Sequence, residues 1–320
     1  MGASTSSAHM IAQIFKLPER EVERSYLRNF ASLEGIVDVD YSMKEIRGSG
    51  SVSISEDRGF RFLSFSLLPD AIHTKKSVDN FDTARIAITV RIADKEGKTI
   101  HQQEREINLD LDPAKKRDLE KRKLAFNDFA PLIDGQFRVI LTFSNKSTNE
   151  FFVYEDQINI TEKTFPVLVG YKVRELSTDE FIPFRMENHK VLNDPRAIFN
   201  NADSLEGLIH SEETPEVFLI HHEEDYSIQI NDITQKGKVF IFKQPLGDVK
   251  TGNYILSVKI GDIEVFQKIL SVLSFQVEKP LELDRAESFL SHYNYTYMIG
   301  KEYLNKGNVE AALGQFKDRK

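Results

Sequence analysis

The segment 84-ARIAITVRIADKEGKTI-100 decides the fold class of this chain. Ile86, Ile88, Val90 and Ile92 stand at every second position, with polar or small residues between them. Because successive side chains of a strand point to opposite faces, this alternation predicts a half-buried β-strand. The turn-forming residues 94–97 follow directly, so the strand is expected to enter a hairpin.

Two further segments repeat this pattern. In 135-GQFRVILTFSNKSTNEFFVYEDQINI-160, Phe137, Val139, Leu141 and Phe143 alternate before a polar turn at 145–149. The segment 252-GNYILSVKI-260 begins in the same way, with a glycine, one polar residue and an aromatic residue. We therefore predict a mainly β chain with two tandem immunoglobulin- or fibronectin-like antiparallel β-sandwiches.

The two predicted sandwiches look like copies of one module, and comparing them gives the boundaries of each. The first sandwich is expected over 35–161 and the second over 165–276, with the proline-containing segments 161–166 and 277–284 as linkers. Matching Gly97 with Gly237 leaves surplus residues in the first copy. Residues 112–129 are therefore expected to form a charged surface insertion.

The predicted insertion is rich in basic residues and is a candidate docking site for an acidic partner. A solvated helical or loop face is the alternative interpretation. The candidate residues are Lys115, Lys116, Arg117, Lys121, Arg122 and Lys123.

The segment 297-YMIGKEYLNKGNVEAALGQFKDRK-320 predicts a helical hairpin over 284–320. Its small and aromatic residues have the spacing of a tetratricopeptide repeat, with an ordinary amphipathic hairpin as the alternative. These residues are Gly300, Tyr303, Gly307, Ala312 and Phe316. Asp284 is the expected N-cap, and Gly307 is expected to end the first helix. The apolar stripe is predicted to comprise Ala286, Phe289, Leu290, Tyr293, Tyr297 and Gly300.

A single repeat of this kind cannot bury its own apolar face. We therefore expect the face with Tyr303, Ala312 and Phe316 to bind a partner. It is expected to pack on the second sandwich, to self-associate with another chain, or to fray. The natural chain is expected to continue with further repeats.

The amino-terminal residues are predicted to lie outside the sandwiches. Residues 1–10, MGASTSSAHM, have the composition of a vector-derived leader. Within 11–34, Val22, Tyr26, Phe30 and Leu33 follow Pro18 at helical spacing, which predicts a short helix.

The composition excludes several classes of partner and chemistry. With 42 basic and 50 acidic residues, the net charge of -8 argues against nucleic-acid binding. The sequence contains no apolar run long enough to predict a transmembrane segment. The absence of cysteine excludes disulfides and thiolate chemistry, and no motif predicts a cofactor.

Two groups of polar residues were weighed as metal sites. The first combines residues 210–213 and 221–224: His210, Glu212, Glu213, His221, His222, Glu223 and Glu224. Neighbours on a strand face opposite ways, which favours a solvated polar segment. The pairs Asp79 with Asp82 and Asp110 with Asp112 lack the spacing of a calcium loop. Asp112 before Pro113 predicts a helix start instead. With no catalytic motif, we expect no enzyme activity.

Several segments resemble one protein family in the order in which they occur. These are 31-ASLEGIVDVDYSMKEI-46, 124-LAFNDFAPLIDGQFRVILTF-143, 165-FPVLVGYKV-173 and the terminal repeat. They resemble the region that follows the GWxTD domain in bacterial GWxTD domain proteins. The motif itself is absent, since the chain has no tryptophan. The resemblance implies β-sandwiches followed by tetratricopeptide repeats and an extracytoplasmic location, and it supplies no catalytic residues.

These observations lead to three functional hypotheses. The first is an interaction or scaffold protein that binds protein partners through sandwich edges and helical repeats. The second is a carbohydrate or surface-ligand module, in which Tyr41, Tyr171, Tyr226 or a phenylalanine supplies the aromatic platform. The third is an accessory region of an enzyme whose catalytic domain lies upstream.

Overall fold

A computed structural model describes residues 43–57, 59–76, 81–161, 163–177, 180–286 and 292–317. The predicted leader, the helix within 11–34, Tyr41 and Asp79 lie outside these residues. The described chain forms the following strands and helices: β1 (Lys44–Glu45), β2 (Gly48–Asp57), β3 (Phe60–Pro69), β4 (Lys75–Lys76), β5 (Asp82–Asp94), β6 (Thr99–Leu111), α1 (Pro113–Lys121), β7 (Leu124–Pro131), β8 (Gly135–Asn145), β9 (Glu150–Ile160), β10 (Val167–Gly170), β11 (Lys172–Glu175), β12 (Arg185–Met186), β13 (His189–Leu192), β14 (Ile198–Asn200), β15 (Ser204–His210), β16 (Pro215–His221), β17 (Ser227–Ile230), β18 (Ile233–Lys236), β19 (Val239–Pro245), β20 (Gly252–Ile260), β21 (Ile263–Leu273), β22 (Leu281–Asp284), α2 (His292–Lys306) and α3 (Val309–Lys317). The prediction of a mainly β chain is confirmed.

None of the described helices has the length and apolarity needed to span a bilayer.

The first body consists of β1–β9 and β22. One sheet has the order β1-β9-β8-β5-β4, with β6 also paired to β5, and the other has the order β2-β3-β7-β22. The predicted alternation on β5 and β8 is confirmed, because Ile86, Val90, Val139 and Phe143 are buried. They pack against Phe65 and other residues of the second sheet in one apolar cluster.

The second body consists of β10–β21. Its two larger sheets have the orders β10-β15-β19-β18 and β14-β21-β20-β16-β17, and they also bury a common apolar cluster. Tyr254 and Leu256 of β20 are central to that cluster. A small third sheet, β11-β13-β12, packs beside β10 and β15 through a separate cluster that includes Phe184 and Met186.

The two bodies share most of their strand order. The run β9-β8-β5-β6 in the first body has the same antiparallel order as β21-β20-β16-β17 in the second. In each body a short strand, β1 or β14, pairs in parallel with the outer strand of that run. Across the core, the neighbours β3 and β7 correspond to β15 and β19. The internal similarity predicted from Gly135 and Gly252 therefore appears in the strand order.

The prediction that residues 112–129 form a surface insertion is wrong for its second half. Residues 124–129 belong to β7, which is buried along its whole length and pairs with β3 and β22. The error came from matching Gly97 with Gly237. Gly97 lies in the sheet that contains β8, whereas Gly237 lies in the sheet opposite β20. Of the predicted insertion, α1 and its flanking residues lie outside the shared order.

The helix start predicted at Asp112 is confirmed. The Asp112 carboxylate accepts hydrogen bonds from the backbone N–H groups of Ala114 and Lys115, and Pro113 occupies the first turn. These bonds and the adjacent cation lower the pKa of Asp112. The residue therefore acts as a helix N-cap.

The segment 277–284 was predicted to be a linker, and the structure corrects this. Its last four residues form β22, which pairs in parallel with β7 of the first body. Asp284 consequently lies in a strand and does not cap the following helix. The described part of α2 begins at His292, so the N-terminal part of the predicted stripe lies outside the described residues.

Buried polar contacts join the two bodies. Ser51 and Ser64 point away from the apolar core and accept hydrogen bonds from the Asn193 side chain and the Phe184 backbone N–H of the second body. The side chain of Lys190 is fully buried between the carboxylates of Glu282 and Asp284. The outer surface of β2 and β3, which would otherwise be solvated, is thereby covered by the second body.

The helical hairpin packs on the first body, a position that is not among the three outcomes considered from the sequence, which were packing on the second sandwich, self-association and fraying. Ile299 of α2 belongs to the core cluster of the first body, and Tyr295 and Tyr303 pack against it. The side chain of Asn305 donates a hydrogen bond to the carbonyl of Ile100 on β6. As predicted, α2 ends before Gly307, whose φ of 88° suits a residue without a side chain.

Candidate binding cleft

A cleft of about 420 Å³ lies between the hairpin and the first body. Its walls come from the β2–β3 turn, the segment before β8 and the inner sides of α2 and α3. The residues that line it include Glu56, Phe60, Arg61, Asp134, Tyr295, Tyr303 and Gln315. Its volume falls within the range of about 300–1,000 Å³ that is usual for small-ligand pockets.

Aromatic rings form one wall of the cleft. The rings of Phe60 and Tyr295 stack with centroids 4.3 Å apart and an interplanar angle of 27°. Behind them, Phe62 contacts Tyr295 and also Phe181 of the second body. This aromatic cluster therefore connects the hairpin with both bodies.

Tyr295 is fixed by the backbone of β3. Its hydroxyl accepts a hydrogen bond of 2.9 Å from the Arg61 N–H and donates one of 3.0 Å to the Arg61 carbonyl. Burial raises the pKa of Tyr295 well above its usual value. The phenol therefore stays neutral, and the ring is held in one orientation.

The charged groups at the cleft differ in how well they are paired. Arg61 contacts the Asp134 carboxylate at 3.1 Å and also donates a hydrogen bond to the Thr161 carbonyl. Lys306 donates to the carbonyl of Asp134. The Glu56 carboxylate lies 3.8 Å from Nδ1 of His210. The Arg61 charge is thus compensated, whereas among the described residues the Glu56 carboxylate has only the more distant His210 ring as a partner.

Tyr303 and Gln315 add polar groups to the cleft. Burial raises the pKa of Tyr303, so its hydroxyl remains protonated at neutral pH. Within the described ranges, neither the hydroxyl of Tyr303 nor the amide of Gln315 has a hydrogen-bond partner in the protein. Both groups are available to a ligand.

A buried polar pair holds α2 against β6. The Glu302 carboxylate lies 3.0 Å from Nδ1 of His101. Burial raises the pKa of Glu302, and the close contact with His101 opposes that effect. The position of α2, and hence the width of the cleft, depends in part on this contact.

The predicted hairpin residues Tyr303, Ala312 and Phe316 do not form one free surface. Tyr303 faces the cleft, and Ala312 is fully buried, so it cannot contact a partner. Phe316 packs over Gly300, where an added Cβ would lie 2.4 Å from the ring. The small residue at position 300 therefore allows α2 and α3 to approach closely, as the sequence suggested.

A different set of side chains forms the exposed apolar surface of the hairpin. We call it the hairpin face, and it comprises Tyr297, Leu304, Val309 and Leu313, each 46–56% exposed. Tyr297 and Leu304 are seven residues apart and so lie on one side of α2, as Val309 and Leu313 do on α3. Phe316 lies on that same side of α3 and contacts Tyr297, so the two helices contribute to one surface.

The basic residues predicted to dock an acidic partner are distributed around α1 and its C-terminal end. Lys116 contacts Asp82, Lys123 contacts Asp70, and Arg122 donates to the carbonyl of Lys279. Lys115 and Lys121 are exposed on the helix, as is Arg117, which bonds to the carbonyl of Pro113. Lys115 also lies 3.7 Å from Asp112, so five of the six residues have a partner within the described part of the protein, and the docking role stays a prediction.

The residues considered as possible metal ligands have structural contacts. Nδ1 of His221 accepts hydrogen bonds from the backbone N–H groups of Glu223 and Glu224, and its ring packs over Gly252. Glu212 pairs with Lys238, and Glu224 with Lys250. Among the described residues, no cluster of three or more potential ligands is arranged to hold a metal ion.

The tyrosines suggested as sugar platforms are partly covered. Lys279 lies over the ring of Tyr171, which packs against the core of the second body. Lys250 lies over the ring of Tyr226 at 5.5 Å. Tyr226 also borders a shallow hollow beside Phe218 and Ile220.

Sequence reasoning missed Glu56, Phe60 and Tyr295 as members of a site. Tyr295, Ile299 and Tyr303 are four residues apart, and this spacing indicates one helical face. The apolar stripe predicted for this helix contains Tyr293, Tyr297 and Gly300 instead. In the structure Tyr297 is exposed. No local signal links this helix to the β2–β3 turn, which lies more than two hundred residues earlier.

No protein-family model and no curated protein sequence matches this chain. Among solved structures, it is similar to the BSP domain of a biofilm associated protein, with 9% identity over 79% of this chain and 55% of that one and a TM-score of 0.18. It is also similar to trypsin activated alpha-2-macroglobulin from Escherichia coli, with 11% identity over 72% of this chain and 17% of that one and a TM-score of 0.23.

A third similarity is to the C-terminal domain of the Streptococcus pyogenes antigen I/II-family protein AspA, with 8% identity over 70% of this chain and 99% of that one and a TM-score of 0.19. The chain thus spans about half of the first structure and a smaller part of the second. TM-scores of this size do not establish a shared fold.

Proposed function

We propose that this chain is a non-catalytic protein-binding scaffold, built from two tandem immunoglobulin-like β-sandwiches and a helical hairpin of tetratricopeptide-repeat type. The resemblance to bacterial GWxTD domain proteins predicts the same organisation, and membership of that family is part of the proposal. The observation that carries it is the hairpin face, four large apolar side chains exposed on a hairpin whose opposite side is anchored to the first body.

Exposure of these side chains to water is unfavourable, so a surface of this kind marks a site of interaction. The anchoring of α2 through Tyr295, Ile299 and Asn305 means that the face is presented in a fixed orientation. A rigid surface loses less conformational entropy on binding than a flexible one. The buried polar contacts between the two bodies extend this rigidity along the chain.

Site-specific photo-crosslinking tests the proposal. A benzophenone amino acid replaces Leu313 in the protein expressed in its native cells, and the same residue replaces the exposed Ile263 of the second body as a control. We expect one reproducible protein adduct from position 313. That adduct should disappear when Leu304→Glu is added, and a substitution of Ile263 by Glu should leave it unchanged.

The proposal fails if position 313 yields no adduct above the level of position 263. It fails equally if the adduct persists at full yield with Leu304→Glu, because contact would then not depend on the hairpin face. Circular dichroism of each variant verifies that the fold is retained.

A further inference from the structure

We propose that the cleft between the hairpin and the first body binds an organic cation, namely the ammonium or guanidinium group of a lysine or arginine side chain on a partner protein. The assignment of this side chain to a partner protein rests on the proposed protein-binding function. The site itself is separate from the hairpin face, because it lies on the inner side of α2.

The charges at the cleft favour a cation. Arg61 pairs with the Asp134 carboxylate at 3.1 Å, and Lys306 donates to the Asp134 carbonyl, so both cations already have partners within the protein. The Glu56 carboxylate lines the cleft beside the aromatic wall, and among the described residues it forms no ion pair with an arginine or lysine side chain. The protein as a whole has a net charge of -8, which attracts a basic segment toward the cleft.

The aromatic groups favour an organic cation over a bare metal ion. Phe60, Tyr295 and Tyr303 border the cleft, and the faces of such rings attract ammonium and guanidinium groups. Ile133 and Ile299 supply an apolar floor suited to the methylene groups of a long side chain. Metal ions prefer several oxygen ligands, and the described residues offer no such cluster here.

Two polar groups of the cleft, on Tyr303 and Gln315, are also suited to a cation. The Tyr303 hydroxyl and the amide oxygen of Gln315 can each accept a hydrogen bond from an N–H donor. Together with the Glu56 carboxylate they match a group that has only donors, such as ammonium or guanidinium. A cleft of about 420 Å³ accommodates one such side chain and part of its backbone.

Methyl NMR with small probes tests this inference on the full chain. The probes are N-acetyl-lysine methylamide and N-acetyl-arginine methylamide, and the neutral controls are the corresponding norleucine and citrulline compounds. The isoleucine methyl groups are labelled, so that Ile133 and Ile299 report on the cleft and Ile263 reports on a distant surface.

We expect saturable shifts of Ile133 and Ile299 with the cationic probes and at least about fivefold weaker binding of the neutral ones, as for a cation that contacts aromatic rings and a carboxylate. Glu56→Gln should weaken binding of the cations about tenfold, because it removes the charge and keeps the shape. The matched control is Glu216→Gln, an exposed carboxylate on β16 that should leave binding unchanged.

Three results would overturn the inference: shifts that do not saturate, equal affinity for neutral probes, or unchanged affinity in Glu56→Gln. A comparison with n-butylammonium identifies the source of the cation. Tighter binding of capped lysine supports a protein side chain, and equal affinity points to a small-molecule cation and contradicts that part of the proposal. None of these outcomes changes the crosslinking expected at Leu313, so the two proposals fail independently.

Discussion

Lys190 of the second body places its Nζ 2.5 Å from Oδ2 of Asp284, on the strand that returns to the first body. The same Nζ lies 2.5 Å from Oε2 of Glu282. The Lys190 side chain is fully buried, so its charge depends on these two carboxylates. Burial raises the pKa of Glu282, which shows that desolvation acts against the pair. This contact joins the two bodies.

Removal of the Lys190 charge should destabilise the protein strongly. In Lys190→Met, two neighbouring carboxylates remain in a buried site without their cation, and loss of one partner from a buried pair costs about 3–5 kcal/mol. Chemical denaturation measures the change in the free energy of unfolding. The control is Lys250→Met, which breaks the exposed pair with Glu224 and should have little effect. Similar effects of the two substitutions would contradict a structural role for the buried pair.

Stability should depend on pH through Glu302. Burial raises the folded-state pKa of this carboxyl above its ordinary value of 4.5. A raised pKa means that the protonated form stabilises the fold below about pH 4.5, and that this contribution is lost as the pH rises through the folded-state pKa.

Glu302→Gln mimics the protonated form and keeps a side chain near His101. We therefore expect this variant to gain stability relative to the wild type as the pH is raised from 4.5 to 7.5. Unfolding free energies of both proteins across this range measure the difference. The exposed Glu216→Gln should give a flat difference, and an equally flat result for Glu302→Gln would show that burial of this carboxyl has no energetic consequence.

Replacement of α1 should be tolerated, whereas removal of the whole segment predicted as an insertion should not. A Gly/Ser linker in place of 113–121 keeps the connection from β6 to β7 and removes mainly the partly buried Leu119. We expect a loss of about 1–2 kcal/mol for that side chain. Deletion of 112–129 also removes most of β7 and should unfold the first body. Thermal unfolding distinguishes these outcomes, and cooperative unfolding of the longer deletion near the wild-type temperature would contradict the assignment of β7.

Gly252 should not tolerate a side chain. Its φ is 153°, and an added Cβ would lie 2.3 Å from Nε2 of His221. Gly252→Ala should therefore destabilise the second body by about 1–3 kcal/mol. Gly314→Ala is the control, because nothing lies within 4 Å of the position its Cβ would take and it sits inside α3. That substitution should stabilise the helix by about 0.5–1 kcal/mol, and unfolding curves of both variants measure the contrast.

The strands that could be predicted are those with one face in the core and one in solvent. On β5, Ile86 and Ile88 are buried while Arg85 is exposed, and this contrast produces the alternation in the sequence. On β7 both faces are buried. The Asn127 amide donates a hydrogen bond to Asp284, and Asp128 forms ion pairs with Arg105 and Arg285. The alternation is therefore lost, so residues 124–131 show no period-two pattern that marks a strand.

The candidate site was the least predictable part. Each of its walls has a local signal, such as the helical spacing of Tyr295 and Tyr303, but the signal says nothing about what the wall faces. The hydrogen bonds from Tyr295 to Arg61 join residues 234 positions apart. A contact of that separation leaves no periodic trace in a single sequence.

The sequence by itself determined the mainly β class, the strands β5, β8 and β20, the helix start at Asp112 and the end of α2 before Gly307. All of these follow from periodicity and from backbone preferences that act over a few residues. Only the tertiary structure decided that residues 281–284 return to the first body, that Lys190 is neutralised by two carboxylates, and that the hairpin encloses a cleft. These features depend on burial and charge pairing between distant segments, and such pairing is set by how the sheets pack.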